Sequence, residues 1–246
     1  MKWLHRLGEY TLLMRRALTL PDRWSMYFKQ LIREIYKLGV DSIGIVIIIS
    51  IFIGFVIAVQ ISLNISSPLI PRFTIGYITR EVILLEFSSS IMCLILAGKI
   101  GSNIASEIGT MRVTEQIDAL DIMGVNSANY LILPKITGLM MFIPVLVVFS
   151  MFFGISGGYI AAYVSGAVSP GDYEYGIQSW FNPFYITYSI IKSVIFAFVI
   201  ASVASYFGYN VKGGALDVGK ASTNSVVTSS VLILMLDVLI TNLMLA

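Results

Sequence analysis

The residues of this chain that could do chemistry are its charged ones, because charge is scarce and locally concentrated. Only 12% of the 246 residues are charged, whereas 57% are hydrophobic. Six charges lie between Lys99 and Asp121, in a segment that separates two long apolar runs. A short acidic helix that stops at a glycine is typical of an exposed contact for a soluble partner. The candidate partner-binding residues of this segment are Glu107, Arg112, Glu115, Gln116, Asp118, Asp121 and Gly124.

Three further ionisable residues lie inside the apolar runs themselves: Glu86, Lys192 and Asp237. Such a side chain at the centre of a membrane helix costs about 2.5–3.5 kcal/mol on insertion scales, so each needs a reason to be there. Either a carboxylate pairs with Lys192 and fixes helix packing, or these residues line a cavity that receives or gates a charged headgroup. The residues alone leave both alternatives open.

The elements that must position these residues are membrane helices. The mean hydropathy is +0.86, and the charged fraction is half of the roughly 25% found in soluble domains. Five apolar segments reach the ~20 residues needed to cross a bilayer. They run over residues 43–63, 75–100, 130–164, 185–207 and 226–245. The sequence therefore predicts an all-α integral membrane protein with a cytoplasmic helix between the second and third spans.

Residues 1–38 precede the spans as an amphipathic segment. Aromatic and aliphatic side chains recur on one helical face from Trp24, while Lys29, Arg33 and Lys37 recur on another. This pattern favours a helix in the headgroup region, with packing on a partner's surface as the alternative. Residues 39–246 are predicted to form a single five-span domain.

Basic residues set the predicted orientation, because lysine and arginine are more frequent on the cytoplasmic side. With a cytoplasmic N-terminus, eight of them lie in residues 1–38 and five more in later inner segments. Only Arg72 and Arg80 then lie outside, and Lys192 lies within a span. We expect the N-terminus inside, the C-terminus outside, and residues 100–129 in the cytoplasm.

Neither a catalytic constellation nor a metal or nucleotide site is expected in this chain. The single His5 and the single Cys93 are far apart in sequence, which argues against a metal site or a disulfide. Residues 214–221 resemble a phosphate-binding loop, but Ala221 stands where that loop needs Ser or Thr. An intramembrane lipid-acting enzyme and a non-transporting scaffold are the alternatives to a transport role.

Two sequence blocks carry a resemblance to a known family. Residues 96–102 read LAGKIGS, residues 107–120 read EIGTMRVTEQIDAL, and Met123, Gly124 and Pro134 follow. The second block comprises residues 208–214 (GYNVKGG) and 218–221 (VGKA). Together they closely resemble the MlaE/YrbE permeases, the membrane subunits of MCE-type ABC lipid transporters. The resemblance covers roughly residue 39 to the C-terminus.

The resemblance implies a homodimer in a bacterial inner membrane that moves phospholipid and binds no nucleic acid. A separate ABC ATPase, which holds ATP and Mg²⁺, would dock on a coupling helix at residues 115–123. An MCE-domain protein would sit in the periplasm, and the sequence leaves open whether a small regulatory subunit is present. This chain itself would bind no cofactor. One departure stands out: the family often has an arginine before the acid that matches Glu86, and here that position is Leu85.

Overall fold

The computed structural model describes residues 2–21, 23–65, 70–166 and 168–245, and no β-strand occurs in these ranges. The helices in the described ranges are α1 Lys2–Ala17, α2 Trp24–Asn64, α3 Thr74–Val113, α4 Gln116–Ile122, α5 Ser127–Ser165, α6 Pro170–Gln178, α7 Phe184–Tyr209 and α8 Ala215–Leu245. Five of them, α2, α3, α5, α7 and α8, are long and apolar enough to cross a membrane. The predicted all-α fold is therefore confirmed for these ranges, with five helices that could span a membrane.

The first two spanning helices are longer than the sequence predicts. α2 begins at Trp24 rather than near Ile43, because a π-helical turn at Ile35–Gly39 and a 3₁₀ turn at Val40–Ser42 continue the helix without a break. The segment 1–38 thus holds α1 and the beginning of α2. α3 extends to Val113, so the first part of the predicted loop 100–129 is helical.

Tertiary packing explains the extra length of α3. Hydropathy falls after residue 100, but polar residues do not end a helix whose other face is buried. Ile104, Ala105 and Ile108 are fully buried, and this end of α3 packs along α8. The interfacial location of residues 1–38 stays a prediction.

The helices group into two compact units. The first unit comprises Met1–Asp41, Leu94–Phe142 and Val194–Ala246, and the second comprises Ser42–Cys93 and Ile143–Ser193. Because the division runs through the spans, it differs in kind from the predicted division at residue 38, which stays a prediction.

In the first unit, polar side chains tie α1 to α7 and α5. The Tyr10 hydroxyl donates to Ser202 Oγ at 2.9 Å, and burial raises the pKa of Tyr10. Asn129 Nδ2 donates to the carbonyl of Ala17 at 2.9 Å, which satisfies one of the acceptors left open at the end of α1. α1 is thus docked on its own chain rather than isolated from it.

In the second unit, α2 and α5 approach each other closely. A Cβ on Gly54 would overlap the carbonyl oxygen of Gly154, so only glycine allows this contact. Ser50 Oγ donates to Ser150 Oγ at 2.9 Å beside it. α6 packs on the first turns of α3, with Tyr173 fully buried between them.

Candidate functional site

The short helix α4 is set off from its neighbours by two residues in the left-handed backbone region. Glu115 before it has φ 60° and Gly124 after it has φ 76°. Glycine adopts this conformation freely, whereas a residue with a Cβ pays about 1 kcal/mol or more. The chain therefore turns sharply at both ends of α4 and holds it as a separate element.

Charged hydrogen bonds fix α4 to the helices on either side of it in the chain. Arg112 Nη1, near the end of α3, donates to Asp118 Oδ1 at 2.6 Å. Ser127 is the first residue of α5, and its Oγ donates to Asp121 Oδ1 at 2.7 Å. Ile117 anchors α4 beneath them and is fully buried. A displacement of α4 would therefore reach α3 and α5 directly.

The exposed side of α4 is more apolar than the sequence analysis predicts. Glu115 and Gln116 are exposed as expected, but Ile122 and Met123 are 87% and 68% exposed. Asp118 and Asp121 accept hydrogen bonds from Arg112 and Ser127 of the same chain. The signal that could have found Ile122 and Met123 is an apolar pair at a helix end, directly before Gly124.

Glu107 was predicted with the residues of α4, but the structure places it in a different cluster. Its carboxylate lies 2.6 Å from Lys135 Nζ and 2.9 Å from Lys37 Nζ. Lys135 Nζ also lies 2.8 Å from Glu34 Oε1. We call these four residues the Lys135 network. It joins α2, α3 and α5, and its central lysine side chain is only 3% exposed.

Two cavities border these elements in the first unit. One of about 920 Å³ lies beside the Lys135 network, with Arg33, Lys99 and Gln116 in its wall. The other, of about 540 Å³, lies between α4 and the segment before α2, with Arg23, Met26 and Met123 in its wall. Recesses therefore border α4 on two sides, while Ile122 and Met123 at its end are exposed.

In the second unit, Lys192 and Glu86 form the ion pair that the sequence analysis considered. Lys192 Nζ lies 3.4 Å from Glu86 Oε1 and donates to the Tyr188 hydroxyl at 2.9 Å. The Lys192 side chain is fully buried, whereas that of Glu86 is 43% exposed. Glu86 sits in the π-helical stretch Ile83–Ile91 of α3, a distortion that is frequent at functional sites.

The third ionisable residue of the spans, Asp237, belongs to the first unit and is half-buried on α8. The structure thus brings Glu86 and Lys192 together, whereas Asp237 belongs to the other unit. Within the described residues, no group of three or more His, Cys, Asp or Glu side chains could hold a metal ion. The chemistry of the Glu86–Lys192 pair is electrostatic: it can attract, orient or exclude a charged group.

The sequence of this chain is similar to those of known permeases. The model of the family described as "Permease MlaE" matches residues 31–243. A "Probable ABC transporter permease protein" of Rickettsia bellii is 32% identical over 96% of this chain and 91% of its own length. A protein of the same description in Synechocystis is 30% identical over 80% of this chain and 75% of its own length. Another in Pyropia yezoensis is 31% identical over 92% of this chain and 86% of its own length.

Proposed function

The chain belongs to the MlaE permease family and is a permease subunit of an ABC transporter. From this premise we propose that it moves phospholipid between the inner membrane of a bacterium and a periplasmic MCE protein. It works as a homodimer, with its N-terminus in the cytoplasm and its C-terminus in the periplasm. ATP and Mg²⁺ are held by a separate ATPase subunit. The chain has a transport role, and the chemistry of hydrolysis belongs to that partner.

The observation that carries this proposal is α4, a helix fixed within its own chain on one side and exposed on the other. Ile122 and Met123 supply an apolar contact for a groove of the ATPase, and Glu115 and Gln116 supply polar ones. Exposed apolar anchors surrounded by a polar rim, which become buried when the partner binds, are typical of protein–protein contacts. Closure of the ATPase dimer pushes α4, and the Arg112–Asp118 pair passes the displacement to α3.

On the substrate side, the same helix α3 carries Glu86, because Thr74–Val113 is one uninterrupted helix. The Glu86–Lys192 pair lines or gates the lipid cavity, and Asp237 adds a polar position on α8. A lipid phosphate is attracted by Lys192, and it competes with Glu86 for that cation. A shift of α3 changes the separation of the pair and so couples hydrolysis to the affinity for the headgroup.

Identification of the copurifying partners and lipids tests the assignment directly. The chain, tagged and expressed at its native level, is purified in mild detergent and analysed by mass spectrometry for bound proteins and lipids. We expect an ABC ATPase, an MCE protein and phospholipid. Recovery of the chain with neither protein partner would favour the enzyme or scaffold alternatives instead.

A charge reversal at α4 tests the coupling step. Asp118→Lys replaces the acceptor of Arg112 with a second cation, so the 2.6 Å bond becomes a repulsion. We expect the affinity for the partner ATPase to fall about tenfold, which corresponds to a loss near 1.4 kcal/mol of binding free energy. Alternatively, ATP hydrolysis by the bound partner loses its dependence on lipid. The matched control is Asp217→Lys, which changes the same charge at an exposed site on α8. Normal ATPase binding and coupling in Asp118→Lys would refute the assignment of α4.

A further inference from the structure

The second unit carries a cluster of aromatic rings that the proposed function does not use. We call it the aromatic platform: Phe73, Tyr77, Tyr175, Trp180 and Phe181. The Phe73 ring lies 5.3 Å from that of Tyr175 and 6.1 Å from that of Trp180, and the Tyr77 ring lies 5.9 Å from Trp180, measured between ring centroids. Phe73 directly precedes α3 and Tyr77 lies in its first turn, Tyr175 belongs to α6, and Trp180 and Phe181 lie in the connection between α6 and α7.

Much of this aromatic surface is open. Trp180 is 75% exposed and Tyr175 is 63% exposed, and Phe181 is exposed beside them. Aromatic side chains carry the largest hydrophobic area per residue. A contiguous exposed patch of this kind marks a surface that meets another apolar phase or partner.

The turn that presents Trp180 is held in place by a buried arginine. Arg80 Nη1 donates to the carbonyls of Ile177 at 2.6 Å and Ser179 at 2.8 Å, while Glu81 balances its charge. Its guanidinium lies 5.0 Å from the ring centroid of Tyr77 and 5.6 Å from that of Phe181. Arg80 thus fixes the backbone beneath the platform.

Trp180 itself has a strained backbone, with φ 47° in the left-handed region. A non-glycine residue in a sparsely populated region costs about 1–3 kcal/mol and persists only where the surroundings impose it. Here the surroundings impose it without burying the ring. The strain therefore serves the exposed position of Trp180 rather than the packing of a core.

The position of the platform in the chain indicates what covers it. Phe73 directly precedes the spanning helix α3, and Trp180 and Phe181 come just before the spanning helix α7. The platform therefore lies at the points where two apolar helices of spanning length begin. Tryptophan and tyrosine are enriched at that depth of a bilayer. The exposed carboxylates Asp172 and Glu174 on α6 provide the water-facing side.

We infer that the aromatic platform is a membrane-interface anchor, seated at the boundary between lipid headgroups and acyl chains and positioned there by Arg80. It holds the ends of α3 and α7 at a defined depth. This inference goes beyond the proposed transport function and does not depend on its direction or substrate. A soluble periplasmic protein that covers the same rings is the competing occupant.

Depth-dependent fluorescence quenching of Trp180 distinguishes these occupants. The full chain and its Trp180→Phe variant are placed in phosphatidylcholine nanodiscs that contain lipids brominated either near the headgroup or near the chain end. The difference between the two proteins is the emission of Trp180 alone, so Trp3 and Trp24 cancel. Trp180→Tyr provides a second reference if the phenylalanine variant cannot be purified.

We expect the shallow bromines to quench Trp180 at least about twofold more than the deep ones, and aqueous iodide to quench it weakly, as for an interfacial ring. Strong quenching by iodide with none by bromine would overturn the inference, since Trp180 would then face water and fit a soluble partner. Stronger quenching by the deep bromines would overturn it as well, because the ring would lie in hydrocarbon.

Discussion

The two units each contain a buried lysine, and the two lysines are compensated differently. Lys135 in the first unit lies within 2.6 Å and 2.8 Å of two carboxylates. Lys192 in the second unit lies 3.4 Å from Glu86 Oε1 and donates to the Tyr188 hydroxyl at 2.9 Å. A buried cation needs close, well-aligned partners to offset its desolvation. The tight network therefore suits a fixed structural joint, and the longer pair suits a site whose partner can change.

Exposure of the carboxylates supports the same distinction. Glu34, which closes the Lys135 network, is 15% exposed, whereas Glu86 is 43% exposed. A partly exposed carboxylate can exchange its cation for water or for a competing anion at lower cost than a buried one. We therefore expect the two lysines to respond differently to substitution, one mainly in stability and the other mainly in transport.

The largest expected effect is the loss of stability on Lys135→Met. The substitution leaves Glu34 and Glu107 as neighbouring carboxylates without their shared cation, and removal of one partner of a buried pair costs about 3–5 kcal/mol. We expect a markedly lower midpoint of thermal unfolding in detergent. The midpoint is measured as the loss of the folded peak in size-exclusion chromatography after heating. Lys220→Met, at an exposed pair on α8, is the matched control. A midpoint equal to that of the control would remove the structural role of the network.

Glu86→Ala comes next and should affect transport rather than folding. Without Glu86 to compete for Lys192, a bound lipid phosphate is released more slowly, and a difference near 1.4 kcal/mol corresponds to about tenfold slower lipid transfer in reconstituted vesicles. Glu86→Gln, which keeps the shape of the side chain, separates charge from volume. If the complex fails to assemble, the pair has the same structural role as the Lys135 network.

The smallest expected effect is that of Lys37→Gln. Lys37 belongs to the Lys135 network but is 41% exposed, and exposed ion pairs contribute about 0.2–1 kcal/mol. We expect a change in unfolding free energy of that size, with the larger effect at low salt because ions screen the exposed pair. A loss as large as that of Lys135→Met would show that the outer pair is also needed.

Much of the fold could be predicted, because bilayer thickness imposes a length that is readable from composition. Five helices of spanning length can be predicted for that reason, but their ends cannot. The starts of α2 and α5 and the end of α3 carry polar residues that stay helical because their other faces are buried. The separate character of α4 was predicted from its charges, but its exposed apolar end at Ile122 and Met123 was not.

The candidate site was predicted in its parts more than in its arrangement. Glu86 and Lys192 were selected because ionisable residues in spans are rare, and the suggested pairing with a carboxylate is confirmed. Glu107 was grouped with the residues of α4 by proximity in sequence, and its actual partners are Lys37 and Lys135. Lys135 itself was counted only as an inner charge.

By itself, the sequence determined that the protein is an α-helical membrane protein, that it has five segments long and apolar enough to cross a membrane, and to which family of permeases its motifs belong. These properties depend on segment length, hydropathy and local residue order, which are all written along the chain. Only the tertiary structure decided which carboxylate meets which lysine and which side of α4 is exposed. Such pairings join residues as distant as Glu34 and Lys135, and they follow from how helices pack, because a helix surface offers several faces and packing selects one of them.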